Sequence, residues 1–445
     1  MCLNVCLNLI YSNQHYILNN VYISISISCV SKNIRIGVKC MSNQDFYTRA
    51  RNLKESISDY EALKNNIKTG IDIYEETTKR RKNILDFLNS TEEDWKDYRW
   101  QLKNVFTNVE DLNKILNLSQ EDINQISVIS KKYRFSISPY FLSMIDPNNP
   151  DDILKKQSIP GIEELDETGE LDPMDETGTS LDSCITRRYP DRLIINVTNK
   201  CPMFCRHCQR KRLILDRDTS LPKELLLKAI DYIKVNSEIR DVLITGGDAL
   251  MLSDNRLNWL LNEIRSIKHV EIIRIGTRIP VTMPQRVTKK LVSILKKYHP
   301  LYINTQFNHP LEITPESSKA CIMLADAGIS LGNQMVLLNG INNNKFVVRK
   351  LNQELLKIRV KPYYIFHPKD VRGTGHFSVQ IKEGIEIMQS LRGYTSGLAI
   401  PQYIVNGPKG LGKTPILPQY LISNDDEKAV FMNWQGKTFE IFNKK

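Results

Sequence analysis

From about residue 190 onward, short β-branched runs alternate with longer stretches in which apolar residues recur every three or four positions. A short apolar run is the mark of a strand buried in a sheet, and a period near 3.6 that of an amphipathic helix. The strand candidates are 193–197, 241–245, 271–275, 301–305, 332–337 and 362–366. Helix candidates lie at 221–235, 254–267, 284–298, 314–327, 344–358 and 380–391. Ser220 with Pro222, and Thr314 with Pro315, are helix starts, since proline suits a first turn whose N–H groups lack partners. Six successive βα units of about 30 residues predict an α/β fold, a parallel sheet curled into a partial (β/α)6 barrel. Such sheets place their chemistry at the C-terminal ends of the strands.

The pattern before residue 190 is different. Residues 45–145 read as helices, and Thr91-Glu92-Glu93-Asp94 is a helix start with a capping residue and acids in the first turn. Trp95, Tyr98 and Trp100 are expected to pack this helical region onto its neighbour. Residues 147–180 are rich in Pro, Gly, Asp and Glu and read as a long connecting loop. Residues 1–40 are rich in Asn, Ile and Ser and nearly lack acids. They have neither the basic start nor the cleavage site of a signal peptide. The expectation is that translation starts at Met41 and that 1–40 is an upstream extension. The chain then divides into 1–40, a helical region with its connecting loop at 41–187, the barrel at 188–395, and a C-terminal segment at 396–445.

Composition changes this picture little. The chain has 445 residues, 41% hydrophobic and 25% charged, as in globular proteins. No run is apolar and long enough to span a bilayer. The net charge of +11 permits nucleic-acid binding, but the basic residues are spread over helices and no dense basic run is interleaved with aromatics. Nine cysteines, an odd number at irregular spacing, argue against a disulfide framework.

Three of those cysteines need a chemical reason. Cys201-Pro-Met-Phe-Cys205-Arg-His-Cys208 follows the first strand of the barrel, where such folds place their active sites. Three thiolates on one loop can bind three irons of a cubane cluster and leave the fourth without a protein ligand. An open iron suits a chelating substrate such as S-adenosylmethionine. Zinc held by the three cysteines and His207 is the competing reading, but adjacent His207 and Cys208 would strain a tetrahedral site. The C-x3-C-x2-C spacing resembles the radical S-adenosylmethionine superfamily, in which a glycine-rich turn ending the second strand contacts that ligand; Gly246-Gly247-Asp248, by itself merely a turn, stands at that place.

A second motif is ambiguous. Gly407-Pro-Lys-Gly-Leu-Gly412-Lys413-Thr414 fits the phosphate-binding pattern of nucleotide-binding loops. That loop must open a helix, and Pro415 and Pro418 forbid one directly after Lys413. The other use of a lysine in a glycine-rich loop is a Schiff base with pyridoxal phosphate.

Taken together, the two motifs resemble the lysine 2,3-aminomutase family of radical S-adenosylmethionine enzymes. The resemblance runs from about Thr91 to near 437. It includes 91–100, 139–147, Arg188-Tyr-Pro-Asp-Arg192, the cysteine loop, Gly246-Gly247-Asp248, Phe307-Asn308-His309-Pro310, Leu331-Gly332-Asn333-Gln334, Pro362-Tyr363-Tyr364 and Gly412-Lys413-Thr414-Pro415. It implies a [4Fe–4S] cluster on Cys201, Cys205 and Cys208, S-adenosylmethionine, and pyridoxal phosphate carried by Lys413. It implies that Arg210 holds the substrate α-carboxylate, that Arg188 and Arg192 anchor the cofactor phosphate, and that Gln334 and His309 line the adenosyl side. It also implies a cytoplasmic homo-oligomer, supplied with electrons by a protein such as flavodoxin or ferredoxin. Two positions depart from the pattern. Gln306 stands where the family usually has histidine. One group of the family binds zinc through C-terminal cysteines, and no cysteine follows Cys321 here, so no structural zinc is expected.

The resemblance also bears on the substrate. Lysine 2,3-aminomutases grip the distant ammonium of lysine with two aspartates. The matching positions here are Lys369 and Asn406. A cation and an amide would fail to neutralise a lysine side chain and would bind a side-chain carboxylate through charge-assisted hydrogen bonds. That is the pattern expected where glutamate is the substrate. Asp370 is adjacent to Lys369, so a one-residue slip would restore an acid, whereas Asn406 is fixed by its distance from Lys413. The implied reaction moves nitrogen from C2 to C3 of glutamate after a 5′-deoxyadenosyl radical removes a β-hydrogen. The competing readings are lysine as substrate, radical chemistry on a protein lysine or on RNA, and a nucleotide-binding protein.

Overall fold

The computed structural model describes residues 21–30, 33–181, 184–214 and 217–443. It comprises two units, Met1–Asn65 and Asn66–Lys445. In the first, β1 (Val21–Val30) and β2 (Asn33–Ser42) pair as an antiparallel hairpin, followed by helices Asn43–Glu55 and Ser58–Leu63. The expected start at Met41 concerns a stretch of which 1–20 and 31–32 lie outside the described residues. Among the described residues no helix is long and apolar enough to cross a membrane.

The second unit is built on one ten-stranded sheet. Its strands are β3 (Ser180–Leu181), β4 (Ile185–Tyr189), β5 (Arg192–Asn196), β6 (Asp241–Thr245), β7 (Ile272–Gly276), β8 (Leu301–Thr305), β9 (Ser330–Val336), β10 (Val360–Phe366), β11 (Gln402–Gly407) and β12 (Gly412–Ile416). They lie in chain order from one edge to the other. β5 through β11 are parallel. β12 turns back antiparallel to β11, and β3 and β4 form an antiparallel edge. The parallel run therefore has seven strands, one more than the sequence pattern indicates. The extra strand is β11, which the sequence shows only as a short apolar run before a glycine-rich loop. The sheet also crosses both expected boundaries, at 188 and at 396, so these cut one structure rather than separate bodies.

Alternation along the strands divides the sheet into two faces. Leu193, Ile195, Val242, Ile244, Ile273, Ile275, Leu301 and Ile303 are buried, 0–2% exposed, in one apolar core. Each such side chain contributes on the order of 1.5–3 kcal/mol by leaving water. The other set, including Thr245, Asn304, Gln334, Phe366 and Asn406, lines a central cavity. A period of two along each strand thus separates the core from the site.

The helical crossovers follow the sequence pattern closely, with one difference. The stretch 284–298 is broken into a turn at Pro284–Arg286, a helix at Lys289–Leu295 and a turn at Lys296–Tyr298. Thr288 restarts the helix, its hydroxyl accepting the Leu291 N–H at 3.1 Å. In the N-terminal region, Thr91 and Asp94 form the expected capping box, with bonds of 2.8 and 3.2 Å. Trp95 is buried, and the guanidinium of Arg286 lies 4.9 Å from the ring centre of Tyr98, which joins this region to the barrel.

Residues 147–180 do more than connect. Asp152 caps a helix at Ile153–Ser158, and a single turn follows at Ile162–Leu165. Glu164 is fully buried and binds both Arg206 and Lys211 at 2.6 Å. The segment is thereby tied to the cysteine loop from which those two cations come.

Candidate active site

The cavity, about 330 Å³, opens at the C-terminal ends of the parallel strands. Cys201, Cys205 and Cys208 line one wall and Lys413 another. The cysteine loop leaves β5 and is held against the turn after β6. The N–H groups of Gly247 and Asp248 donate to the carbonyls of Thr198 and Lys200. Gly246 has φ +146°, and a Cβ there would sit 2.2 Å from the Thr198 oxygen. A Cβ on Gly247 would lie 2.5 Å from the Lys200 oxygen. Glycine is required at both positions so that the two loops can touch.

Asp248 lines the cavity, but its carboxylate is engaged within the protein. Oδ1 accepts from the Thr277 hydroxyl at 2.7 Å and the Leu250 N–H at 3.0 Å, and Oδ2 accepts the Arg278 N–H at 2.7 Å. Burial raises its pKa to about 6 against these bonds. His207 faces the amides of Gln306 and Asn308, at 3.1 and 3.4 Å from its Nε2, and burial keeps the imidazole neutral. The Nε2 of that ring is thus taken by the two amides, while its Nδ1 is buried without a partner. Among the described residues no group of three His, Cys, Asp or Glu side chains is set to hold a single metal ion. A cubane makes a different demand, because each thiolate takes its own iron. Three half-buried cysteines along the cavity lining meet that demand.

The lining around Lys413 is cationic. Lys413 sits on β12 directly across from Asn406 on β11. Its backbone N–H donates to the Tyr189 hydroxyl at 2.8 Å. Its ammonium lies 4.7 and 5.2 Å from the ring centres of Tyr364 and Phe366. Burial, helped by Arg274, Arg192 and Lys369, lowers its pKa to about 7. A turn at Pro408–Gly410 and a strand flank the lysine, so no helix opens after it and a nucleotide-binding loop is excluded. Arg188 lines the cavity with Nε and Nη2 buried and without a hydrogen-bond partner. The Nδ2 of Asn406 is likewise unpartnered.

Lys369 also lines the cavity, hydrogen-bonded to Gln209, and burial lowers its pKa to about 8. Asp370 is exposed and lies outside the cavity, beside Gly169. The residue facing the cavity is therefore the lysine and not its acidic neighbour. Arg210 donates through Nε and Nη2 to the carboxylate of Glu176 at 2.8–3.1 Å and through Nη1 to the Gly246 oxygen at 2.9 Å. Burial would raise the Glu176 pKa, but Arg210 and Arg212 hold it down at about 2.

Two expected residues are not brought into the cavity. His309 is buried, and its Nδ1 accepts the Leu311 N–H at 3.2 Å, capping the turn Pro310–Glu312. Arg192 stacks its guanidinium 3.8 Å from the ring centre of Tyr189, behind Lys413. Gln334 lies in the lining as expected. Sequence reasoning missed Glu176, Gln209 and Arg278. Glu176 stands in an acidic loop that reads as solvated. Arg278 is a lone arginine two residues past a strand end, and that position was the available signal.

The comparisons agree with this geometry. The radical SAM superfamily matches residues 195–348, and the lysine-2,3-aminomutase C-terminal family matches residues 388–440. The chain is 56% identical to glutamate 2,3-aminomutase of Clostridioides difficile over 88% of its own length and 93% of that protein. It is 47% identical to L-lysine 2,3-aminomutase of Clostridium subterminale, over 79% of this chain and 85% of that one. With the L-lysine 2,3-aminomutase of Bacillus subtilis the identity is 44%, over 80% and 76%. A radical SAM domain carries a [4Fe–4S] cluster and binds S-adenosylmethionine. A cavity walled by three cysteines and a lysine, at the ends of a parallel sheet, thus belongs to an isomerase of the radical S-adenosylmethionine 2,3-aminomutase family.

Proposed function

We propose that the protein converts L-glutamate to β-glutamate, with pyridoxal phosphate held by Lys413. One observation carries the choice of glutamate. The cavity is lined by two carboxylates, Glu176 and Asp248, and both are already bonded to protein donors. The same lining holds Arg188, Arg210, Arg278, Lys369 and Lys413. A substrate ammonium other than the migrating nitrogen would find no free acid there, and its burial would be costly. A second carboxylate would find Lys369 and the unpartnered amide of Asn406. The relative at 56% identity, a glutamate 2,3-aminomutase, supports the same reading.

When bound, S-adenosylmethionine on the reduced cluster supplies a 5′-deoxyadenosyl radical, and pyridoxal phosphate supplies a carrier for the migrating nitrogen. The chain's own residues do the rest. The Lys413 amine, lowered to about 7, is neutral for a large fraction of the time near physiological pH and so is nucleophilic. Arg188 offers two buried N–H groups to a phosphate. Arg210 is clamped by Glu176, which leaves one hydrogen on each terminal nitrogen for the α-carboxylate. Tyr364 and Phe366 exclude water around the lysine. A low-potential one-electron donor of the flavodoxin or ferredoxin type would reduce the cluster.

The test is an anaerobic assay of reconstituted protein with dithionite, S-adenosylmethionine, pyridoxal phosphate and either amino acid. β-Glutamate is the expected product. β-Lysine without β-glutamate would overturn the choice of substrate.

A further inference from the structure

One of the three cysteines differs from the others in its surroundings. Arg278, two residues beyond the end of β7, donates through Nη1 to the sulfur of Cys205 at 2.7 Å. Cys208 takes a longer contact, the Arg210 backbone N–H at 3.4 Å. The guanidinium of Arg278 is held on every other side. Nε donates to the Gln306 carbonyl at 3.2 Å, and Nη2 donates to Gln157 at 2.7 Å and to Glu312 at 2.8 Å. Its own backbone N–H is taken by Asp248. Arg278 is 7% exposed and Glu312 is fully buried. Glu312 is fixed in turn by the N–H groups of Asn308 and His309 and by the amide of Gln157. This is a rigid, desolvated cation placed on a single sulfur, with its counter-ion on the far side.

We infer that Arg278 is a positioning residue that raises the reduction potential of the cluster through Cys205, and that Glu312 sets how far. The inference rests on the three cysteines holding the cluster. An N–H bond to a thiolate withdraws electron density from the iron, and a nearby cation favours the more negative oxidation level. The step affected is the entry of one electron from the external donor, which converts [4Fe–4S]2+ to [4Fe–4S]+. Burial strengthens the effect, because little water screens it.

The experiment is a redox titration of the full-length reconstituted protein, followed by the paramagnetic signal of the reduced cluster, without S-adenosylmethionine or amino acid. Arg278→Gln is expected to make reduction about tenfold less favourable, which for one electron is about 59 mV toward more negative potential. Glu312→Gln, which removes the counter-charge, is expected to move the potential in the opposite direction. Arg278→Lys, which keeps the charge, is expected to stay closer to the unsubstituted protein than Arg278→Gln does. A purely structural arginine would lower iron content in these variants without moving the potential of the clusters that remain. Should Arg278→Gln fail to fold, Glu312→Gln decides alone. A positive shift supports the proposal, and no shift or a negative one overturns it. Absence of any cluster from the unsubstituted protein would overturn the cluster assignment together with this inference. A bound cluster whose potential ignores both substitutions would overturn this inference alone.

Discussion

The two walls of the cavity are built on opposite plans. On the cysteine wall the charged side chains are already bonded inside the protein: Asp248 to Thr277 and two backbone N–H groups, Arg278 to Glu312, Gln157 and Cys205. On the lysine wall the polar groups have few partners. Arg188 and Asn406 carry buried N–H groups with no acceptor, and Lys413 rests on aromatic rings with its charge disfavoured. Charged groups bonded on every side, as Asp248 and Arg278 are, keep one geometry, and that is what holding a reactive cluster requires. Unpartnered buried donors carry a free-energy penalty that an anionic ligand removes, and that difference becomes affinity. The first wall is organised in advance, and the second is completed by what binds to it.

That contrast can be broken at either wall. The largest effect is expected from Lys413→Ala. It should abolish turnover and the pyridoxyl adduct trapped by cyanoborohydride, while iron content stays at the unsubstituted level. Loss of iron as well would mean that the walls are not independent. Next is the pair Lys369→Asp with Asn406→Asp. Glutamate kcat/KM should fall by about thirtyfold or more, in line with the ~2–5 kcal/mol lost when one side of a buried charge pair is removed. Any activity on lysine should rise, and both are measured in the same anaerobic assay. Arg188→Ala should weaken pyridoxal phosphate binding about ten- to hundredfold, the scale of one or two hydrogen bonds to a charged group. Equilibrium dialysis would measure it, and an unchanged affinity would place the phosphate elsewhere.

The smallest effect concerns pH. Adduct formation needs the free amine, so its rate should rise with pH around a midpoint near 7 rather than near the ordinary 10.5 of lysine. Arg192→Met removes a neighbouring cation and should move that midpoint upward. The same sign governs folding. Between about 7 and 10.5 the unfolded chain holds a proton on this lysine that the folded chain has released, so its contribution to stability increases with pH across that window. A thermal-unfolding series with Lys413→Met as the reference isolates it.

What was legible in the sequence follows the same division. The barrel strands were visible because each is a short β-branched run, and all six begin and end within two residues of the observed strands, as with β6 at Asp241–Thr245. β11 was missed because only Tyr403, Ile404 and Val405 in it are apolar, before Asn406 and Gly407 lead into the glycine-rich loop. The cysteines and Lys413 were visible because their chemistry imposes a spacing. Glu176 was not, because an acid among acids in a loop looks solvated until Arg210 and Arg212 are seen to close on it. His309 was named through the resemblance alone, and its Nδ1 caps the tight turn at Pro310, a local use that its spacing does not reveal.

The pairing of Asn406 with Lys413 across one hairpin has a consequence for how such an enzyme can change. The residue proposed to help choose the substrate and the lysine proposed to carry the cofactor are joined by six residues of loop and strand. Because side chains alternate along a strand, losing or gaining one residue between them would turn the lysine or the asparagine away from the cavity. The length of this hairpin is therefore frozen. Within the hairpin only the identity of the residue opposite the lysine is free to drift, so a new substrate preference arising here must come by substitution and not by insertion.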